Sequence, residues 1–359
     1  MQVPTKILVF QTAFIGDVVL TLPLVQVLHE YFPEAHIDFV AIPTGASVLA
    51  HHPAIHEVIT YDKKGKDSGL SGILSLAGAL RRRAYDVAVV PHRSLRSAVV
   101  VWRSGIPRRI GFATSAGWFL FTDALPYAKQ DHEVCRDLSL LTVLGIEPPA
   151  HVLPTLYPGR EDQEFVDSII GEYMAHLSSR GRHMIAIAPG SVWNTKRWLK
   201  DHFIALIRLL VNEGFGIVLL GSKDDEGLCG EIQRAATGSS VANVAGRLTL
   251  LQSAEVIRRC SLLVSNDSAP MHLAVSVRTP VVAIYGPTVP RFGFAPLGPY
   301  DQIVEKEGLS CRPCSSHGGQ TCPIKTFECM KLIGPQHVYA KVKDVLAATG
   351  NAVQHVGNN

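Results

Sequence analysis

Small hydroxyls, backbone amides and a histidine stand together in Ser265-Asn-Asp-Ser-Ala-Pro-Met-His272, a combination that can hold an anion. An apolar run, 261–264, leads into the polar turn 265–268. A helical pattern follows, with Pro270 in its first turn and Met271, Leu273, Ala274 and Val277 on one face. This order places the free N–H groups of Ser268 and Ala269 at a helix start, where partial positive charge suits a diphosphate. Capping by Asp267 and Ser268 explains such residues in many helices. Two features favour the anion-binding reading. His272 lies one turn into the helix, and the next apolar run, Val281 to Tyr285, ends in a second loop of the same character, Gly286-Pro-Thr288.

Two further loops have the right composition. Pro189-Gly-Ser-Val-Trp-Asn-Thr-Lys-Arg-Trp198 follows a strand pattern and precedes a helical one. Ser191 and local amides can meet phosphate oxygens. Lys196 offers a point charge and Arg197 a planar fork, although Arg197 stacked on Trp193 or Trp198 is the structural alternative. Gly221-Ser-Lys-Asp-Asp-Glu226 follows the next strand pattern. One of its acids can take ribose hydroxyls, as acids after parallel strands often do, or can cap the helix. In the first half, Gln11-Thr-Ala-Phe-Ile-Gly-Asp17 joins a strand to a helix without the G-x-G-x-x-G of a dinucleotide site. Asp17 can accept a proton from a hydroxyl, or simply favour the helix dipole.

Cys311, Cys314, Cys322 and Cys329 form a C-x₂-C-x₇-C-x₆-C set around His317. Four thiols at this spacing allow a structural zinc; reduced, packed thiols are the alternative.

The elements that must position these loops read as two alternating series. Helical patterns cover 15–31, 71–83, 96–103 and 131–144, the last stopping at Gly145, and strand patterns cover 7–10, 36–41, 86–91 and 110–112. A proline-rich connector at 147–154 and a charged helix at 160–178 follow. Strands at 184–188 and 216–220 then alternate with helices at 201–213, 224–237 and 249–258, and the tail 351–359 reads as frayed. Such alternation predicts parallel sheets with right-handed crossovers. The division expected is an acceptor-binding domain over 1–155, a linker and helix over 156–182, a nucleotide-binding domain over 183–335, and a terminal helix and tail over 336–359, with a cleft between the two domains.

A length of 359 residues suits two cores, and 47% hydrophobic with 18% charged residues describes an ordinary globule. No apolar run is long enough to span a bilayer, and the start, 1–7, lacks the layout of a secretion signal, so a cytoplasmic location is expected. A net charge of +3 does not by itself imply nucleic acid. The distribution says more: Arg81, Arg82, Arg83, Arg93, Arg96, Arg103, Arg108 and Arg109 face one carboxylate, Asp86, between positions 80 and 110. That excess suits an anionic ligand or membrane surface, and no nucleic-acid motif accompanies it.

Five stretches in order resemble glycosyltransferase family 9, the ADP-heptose:lipopolysaccharide heptosyltransferases. They are Gly16-Asp-Val-Val-Leu-Thr-Leu-Pro23, residues 104–112, the loop 189–198, residues 265–273, and Ala283-Ile-Tyr-Gly-Pro-Thr288. The resemblance covers nearly the whole chain. It implies a GT-B fold, two Rossmann-like α/β domains with parallel sheets facing a central cleft, and an inverting transfer of heptose from ADP-heptose to a lipid A–core oligosaccharide. It implies that Asp17 is the general base, and that Ser191, Lys196, Arg197, Asp267, Ser268, Ala269, His272 and Thr288 hold the donor. Glu226, or Asp225 in its place, is the expected ribose contact. Thr12, Gly16, Arg93 and Arg96 are the expected acceptor contacts. No cofactor is implied for catalysis, and the expected location is the cytoplasmic side of the inner membrane, in peripheral contact. The family has glycine where this chain has Ala269, so a restricted φ is expected there. A related transferase using another nucleotide sugar, or a non-catalytic nucleotide-binding protein, is the alternative.

Overall fold

A computed structural model describes residues 3–180, 182–236 and 240–356, with side chains described to position 350. The chain forms two compact units, Met1–Tyr157 and Pro158–Asn359. Where a frayed tail is expected over 351–359, residues 351–356 instead continue the last helix, and 357–359, like 181 and 237, lie outside the described residues.

In the first unit, β1 (Lys6–Phe10) leads to α1 (Ile15–Leu20) and α2 (Leu22–Tyr31), and β2 (His36–Ala41) to α3 (Pro43–Ala46). Next, β3 (Glu57–Thr60) leads to α4 (Gly69–Arg83), and β4 (Val87–Val90) to α5 (Leu95–Arg103). The unit ends with β5 (Arg108–Phe112), β6 (Asp123–Leu125) and α6 (Glu133–Ser139). All strands pair in parallel, in the order β3-β2-β1-β4-β5-β6. The order reverses between β1 and β4, so the loops after these strands meet at a topological switch point, the usual ligand position in open α/β sheets.

The second unit opens with α7 (Arg160–Ser178), then β7 (Met184–Ala188), α8 (Lys200–Asn212), β8 (Gly216–Leu219), α9 (Glu226–Ala236) and β9 (Val241–Asn243). It continues with α10 (Leu250–Arg258), β10 (Leu262–Asn266), α11 (Ala269–Ser276), β11 (Val281–Tyr285) and β12 (Gln302–Glu305), and closes with α12 (Glu328–Lys331) and α13 (Pro335–Val356). Its parallel sheet runs β12-β11-β10-β7-β8-β9, which repeats the first unit's strand order with a switch point between β10 and β7.

The central strands are wholly buried because both faces carry helices: Ile7, Leu8, Val9 and Phe10 in β1, and Ile185, Ala186 and Ile187 in β7, have no exposed surface. Where a single helix is expected over 15–31, the chain makes two, broken at Thr21. Pro23 sits in the first turn of the second, where its missing N–H is harmless. The expected helix over 131–144 shortens to α6 and finishes as a 3-10 turn over 140–144, with Gly145 left-handed at φ 78° behind it.

Candidate functional site

In the first unit the loops after β1 and β4 are tied together. Thr12 Oγ1 lies 2.9 Å from His92 Nδ1, and Lys63 Nζ donates to the Thr12 carbonyl at 2.6 Å. Asp17 stands in the first turn of α1 and accepts a hydrogen bond from the Phe14 N–H at 3.1 Å. It is half-buried. Removal from water pushes its carboxyl up to about 6, and the neighbouring charge of Glu133 adds to the rise, against smaller opposing effects from backbone N–H groups and Arg93. A carboxyl near 6 is ionised at neutral pH yet basic enough to take a proton from a hydroxyl. Behind it, wholly buried Asp137 stands well above the usual carboxylate range, through burial first and Glu133 second. It contacts Thr21 Oγ1 at 2.7 Å, and the same hydroxyl lies 2.9 Å from the Asp17 carbonyl.

The arginine-rich stretch divides by role. Arg83 pairs with Glu57 and Asp38, Arg108 with Asp123, and Arg109 donates to the carbonyls of Leu120 and Ile106. These three brace the fold and are committed to partners within it. Arg93, stacked over Tyr127 with its guanidinium 4.0 Å from the ring centre, belongs to the surroundings of Asp17. Arg96 donates to the Lys63 carbonyl at 3.2 Å. Lys63 escaped the sequence reading; burial, then Arg96, lowers its ammonium from the ordinary range.

In the second unit three loops converge. Lys196 Nζ and Thr288 Oγ1 both lie 2.6 Å from Asp267 Oδ2, so the loops after β7, β10 and β11 meet at one carboxylate oxygen. Asp267 is 7% exposed and Thr288 2%. The amides of Ser268 and Ala269 have no acceptor among the described residues, leaving two donors at the start of α11. Ala269 is absent from the residues with positive φ, so the methyl in place of the family's glycine imposes no backbone strain. Buried Asn266 locks the arrangement: its amide donates to the Pro189 carbonyl at 2.9 Å, and its carbonyl accepts from the Trp198 N–H at 3.0 Å. Arg197 donates to the Ser191 carbonyl at 2.7 Å and approaches Asp225 at 3.8 Å, while Trp193 stacks on His317 instead. His272 is buried on α11.

Of the acids after β8, buried Asp225 accepts from the Ser222 N–H and hydroxyl at 3.0 and 2.7 Å. It also lies where a Cβ on Gly190 would fall 2.3 Å away, so a side chain at 190 would expel it. Asp225 is thus committed to capping and packing. Glu226 is exposed and opens α9.

The four cysteines do not assemble a zinc centre, one of the two readings their spacing allows. Among the described residues, the group of three or more metal-ligating side chains whose ligand atoms lie within 4.8 Å of one another is Asp38, His56 and Glu57, and no three of Cys311, Cys314, Cys322 and Cys329 meet that distance. The Cys314 thiol lies 3.1 Å from the Cys311 carbonyl, and Cys329 is buried in α12. For Cys322, burial favours the thiol, but the N–H groups of Phe327, Ile324, Lys325 and Thr326 outweigh it and lower its pKa.

Two sheets of Rossmann order, each with polar loops at its switch point, define a doubly wound α/β protein built to hold ligands at the ends of its strands. A family model for glycosyltransferase family 9 (heptosyltransferase) matches residues 73–324. Lipopolysaccharide heptosyltransferase 2 of Escherichia coli (strain K12) is 32% identical over 295 residues, which cover 80% of this chain and 84% of that protein. Lipooligosaccharide heptosyltransferase 2 of Haemophilus influenzae is 27% identical over 352 residues, 95% of this chain and 99% of that one. The solved structure of E. coli ADP-heptose lps heptosyltransferase II has a TM-score of 0.77 at 28% identity, covering 96% of this chain and 99% of its own. A family 9 glycosyl transferase from Veillonella parvula DSM 2008 shares the fold, with a TM-score of 0.86 at 22% identity over 97% and 99% of the two chains. The chain belongs to glycosyltransferase family 9.

Proposed function

We propose that this enzyme transfers a heptose from an ADP-activated donor to the inner core of lipopolysaccharide, with inversion at the anomeric carbon. The observation that carries the reading is the convergence of Lys196, Thr288 and the free amides of Ser268 and Ala269 around Asp267, the chemistry a leaving diphosphate needs. The names of relatives at 27–32% identity and of the E. coli structure support heptose as the sugar and ADP as its carrier. In this account the second unit binds the nucleotide sugar and the first unit the acceptor.

Asp17 takes the proton of the acceptor hydroxyl as its oxygen attacks the anomeric carbon. The glycosidic bond to the diphosphate breaks, and ADP leaves with the electron pair. Lysine charge and fixed N–H dipoles stabilise that leaving charge in place of water. Ser191 and Arg197 border the diphosphate, His272 supports the turn from behind, and exposed Glu226 takes the ribose hydroxyls. Thr12, Gly16, Arg93, Arg96 and Lys63 form the acceptor side, where cationic groups match an acceptor carrying phosphates and acidic sugars. No helix among the described residues is long and apolar enough to cross a membrane. The account has the enzyme meet its lipid-linked acceptor by peripheral contact at the cytoplasmic face of the inner membrane.

The test is transfer to defined truncated core glycolipids from ADP-heptose, with UDP- and GDP-sugars as competing donors, read by mass spectrometry. Heptose added only from ADP-heptose supports the reading. Turnover of a different nucleotide sugar in preference, or none with any pair, overturns it.

A further inference from the structure

The cysteine-bearing segment 311–322 is left over by this mechanism, yet it is hydrogen-bonded to two of the three donor loops. On one side it grips the loop that carries Lys196. The buried Thr195 hydroxyl accepts from the Gly319 N–H at 2.8 Å and donates to the Gly319 carbonyl at 2.9 Å, and the Thr195 N–H donates to the same carbonyl at 3.0 Å. Trp193 stacks on His317, with ring centres 4.8 Å apart and planes within 20°. Gly318, between these contacts, has φ +89°, and a Cβ there would lie 3.1 Å from Lys196 Cγ and 3.2 Å from Trp193 Cβ. The left-handed φ favours glycine here, and any side chain would also crowd Lys196 and Trp193.

On the other side the segment grips the loop that carries Thr288. The Cys314 N–H donates to the Pro287 carbonyl at 2.9 Å. The Arg312 guanidinium donates to the carbonyls of Gly286 and Thr288, the latter at 2.9 Å, while Glu305 holds it at 2.7 Å. Between the two grips lies a cavity lined by Thr195, Pro287, Cys314, Cys322, Phe327 and Cys329. The loops after β7 and β11 belong to strands that do not pair with each other, because β10 separates them. The segment links the two where the sheet does not.

We propose that segment 311–322 is a brace that presets the spacing of the Lys196 and Thr288 loops for a nucleoside diphosphate, with Thr195 and Arg312 as positioning residues. A lysine loop free to wander would have to be ordered by each incoming donor, and that ordering would be subtracted from affinity. The brace performs it in advance. The proposal rests on the reading of these loops as the donor site.

The experiment is calorimetric binding of ADP to the full chain and to Thr195→Val and Thr195→Ser. Valine keeps the shape and removes both hydroxyl bonds; serine keeps the hydroxyl. The expected result is an ADP Kd about tenfold weaker for valine and within about twofold of wild type for serine. Should the valine protein fail to fold, His317→Ala removes the stack on Trp193 and the Nδ1 contact to the Gly318 carbonyl at an exposed residue, and about a threefold weaker Kd is expected. Wild-type affinity in every folded variant, or equal loss in valine and serine, overturns the brace while leaving the donor site standing. A wild-type protein that binds no ADP overturns the donor reading and the brace with it.

Discussion

The pH dependence of transfer reports directly on the surroundings of Asp17. An aspartate at its ordinary value of 3.8 would be almost fully ionised at pH 5. With its carboxyl pushed up to about 6, Asp17 is about nine-tenths ionised at pH 7 and about one-tenth at pH 5. The predicted kcat/KM therefore falls about tenfold between those pH values, where an unperturbed base would lose almost nothing. The rise of about 2 pK units corresponds to at most about 3 kcal/mol between the two protonation states. Burial is the larger cause and Glu133 the second, so Glu133→Gln should move the acid limb toward lower pH, by less than the full rise. The sign for stability is opposite to that for activity. The folded state holds this proton more tightly than the unfolded chain, so the group's contribution is fully present below 3.8 and is lost as pH rises through about 6. The assay is initial-rate transfer from pH 4.5 to 8 at subsaturating acceptor, with circular dichroism confirming that Glu133→Gln is folded. A flat profile between pH 5 and 7, or an unmoved limb in the folded Glu133→Gln protein, would refute the reasoning.

Further outcomes are expected from the same geometry. Lys196→Ala should weaken ADP binding by about one to two orders of magnitude through loss of a charge-assisted contact, measured by calorimetry; an unchanged Kd counts against its role. Trp198 is 2% exposed and donates to the Ile333 carbonyl at 2.9 Å, so Trp198→Ala should remove about 3–5 kcal/mol of stability by chemical denaturation. Maleimide labelling of the native protein followed by peptide mapping should find Cys322 modified before Cys229 and Cys260. Cys322 has amide donors that favour its thiolate, whereas burial raises both of the others, Cys229 to about 12.

The central strands of the two sheets were legible because they are apolar runs bounded by turn chemistry, and α7 and β7 match the residues expected of them. The four edge strands β3, β6, β9 and β12 were not. They are three to four residues long and partly exposed, so neither length nor hydrophobicity marks them. The donor loops were readable as local strand–turn–helix patterns. What fixes their geometry was not, because those contacts join residues far apart in sequence: Asn266 to Pro189, Thr195 to Gly319, Arg312 to Thr288. Likewise, charge alone could not separate Arg83 and Arg108, which meet carboxylates across the sheet, from Arg93 beside Asp17. The cysteine spacing suggested a metal because thiols near in sequence are often near in space. Here Cys314, Cys322 and Cys329 line one cavity without any three of the four thiols coming within 4.8 Å of one another, and Cys322 meets the amides of residues 324–327.

The most direct measurement of the central claim is transfer by Asp17→Asn alongside its affinity for ADP. The account predicts that transfer falls by about two to four orders of magnitude while the ADP Kd stays at its wild-type value, because the carboxylate serves the acceptor hydroxyl and not the diphosphate. Transfer at the wild-type rate would contradict it.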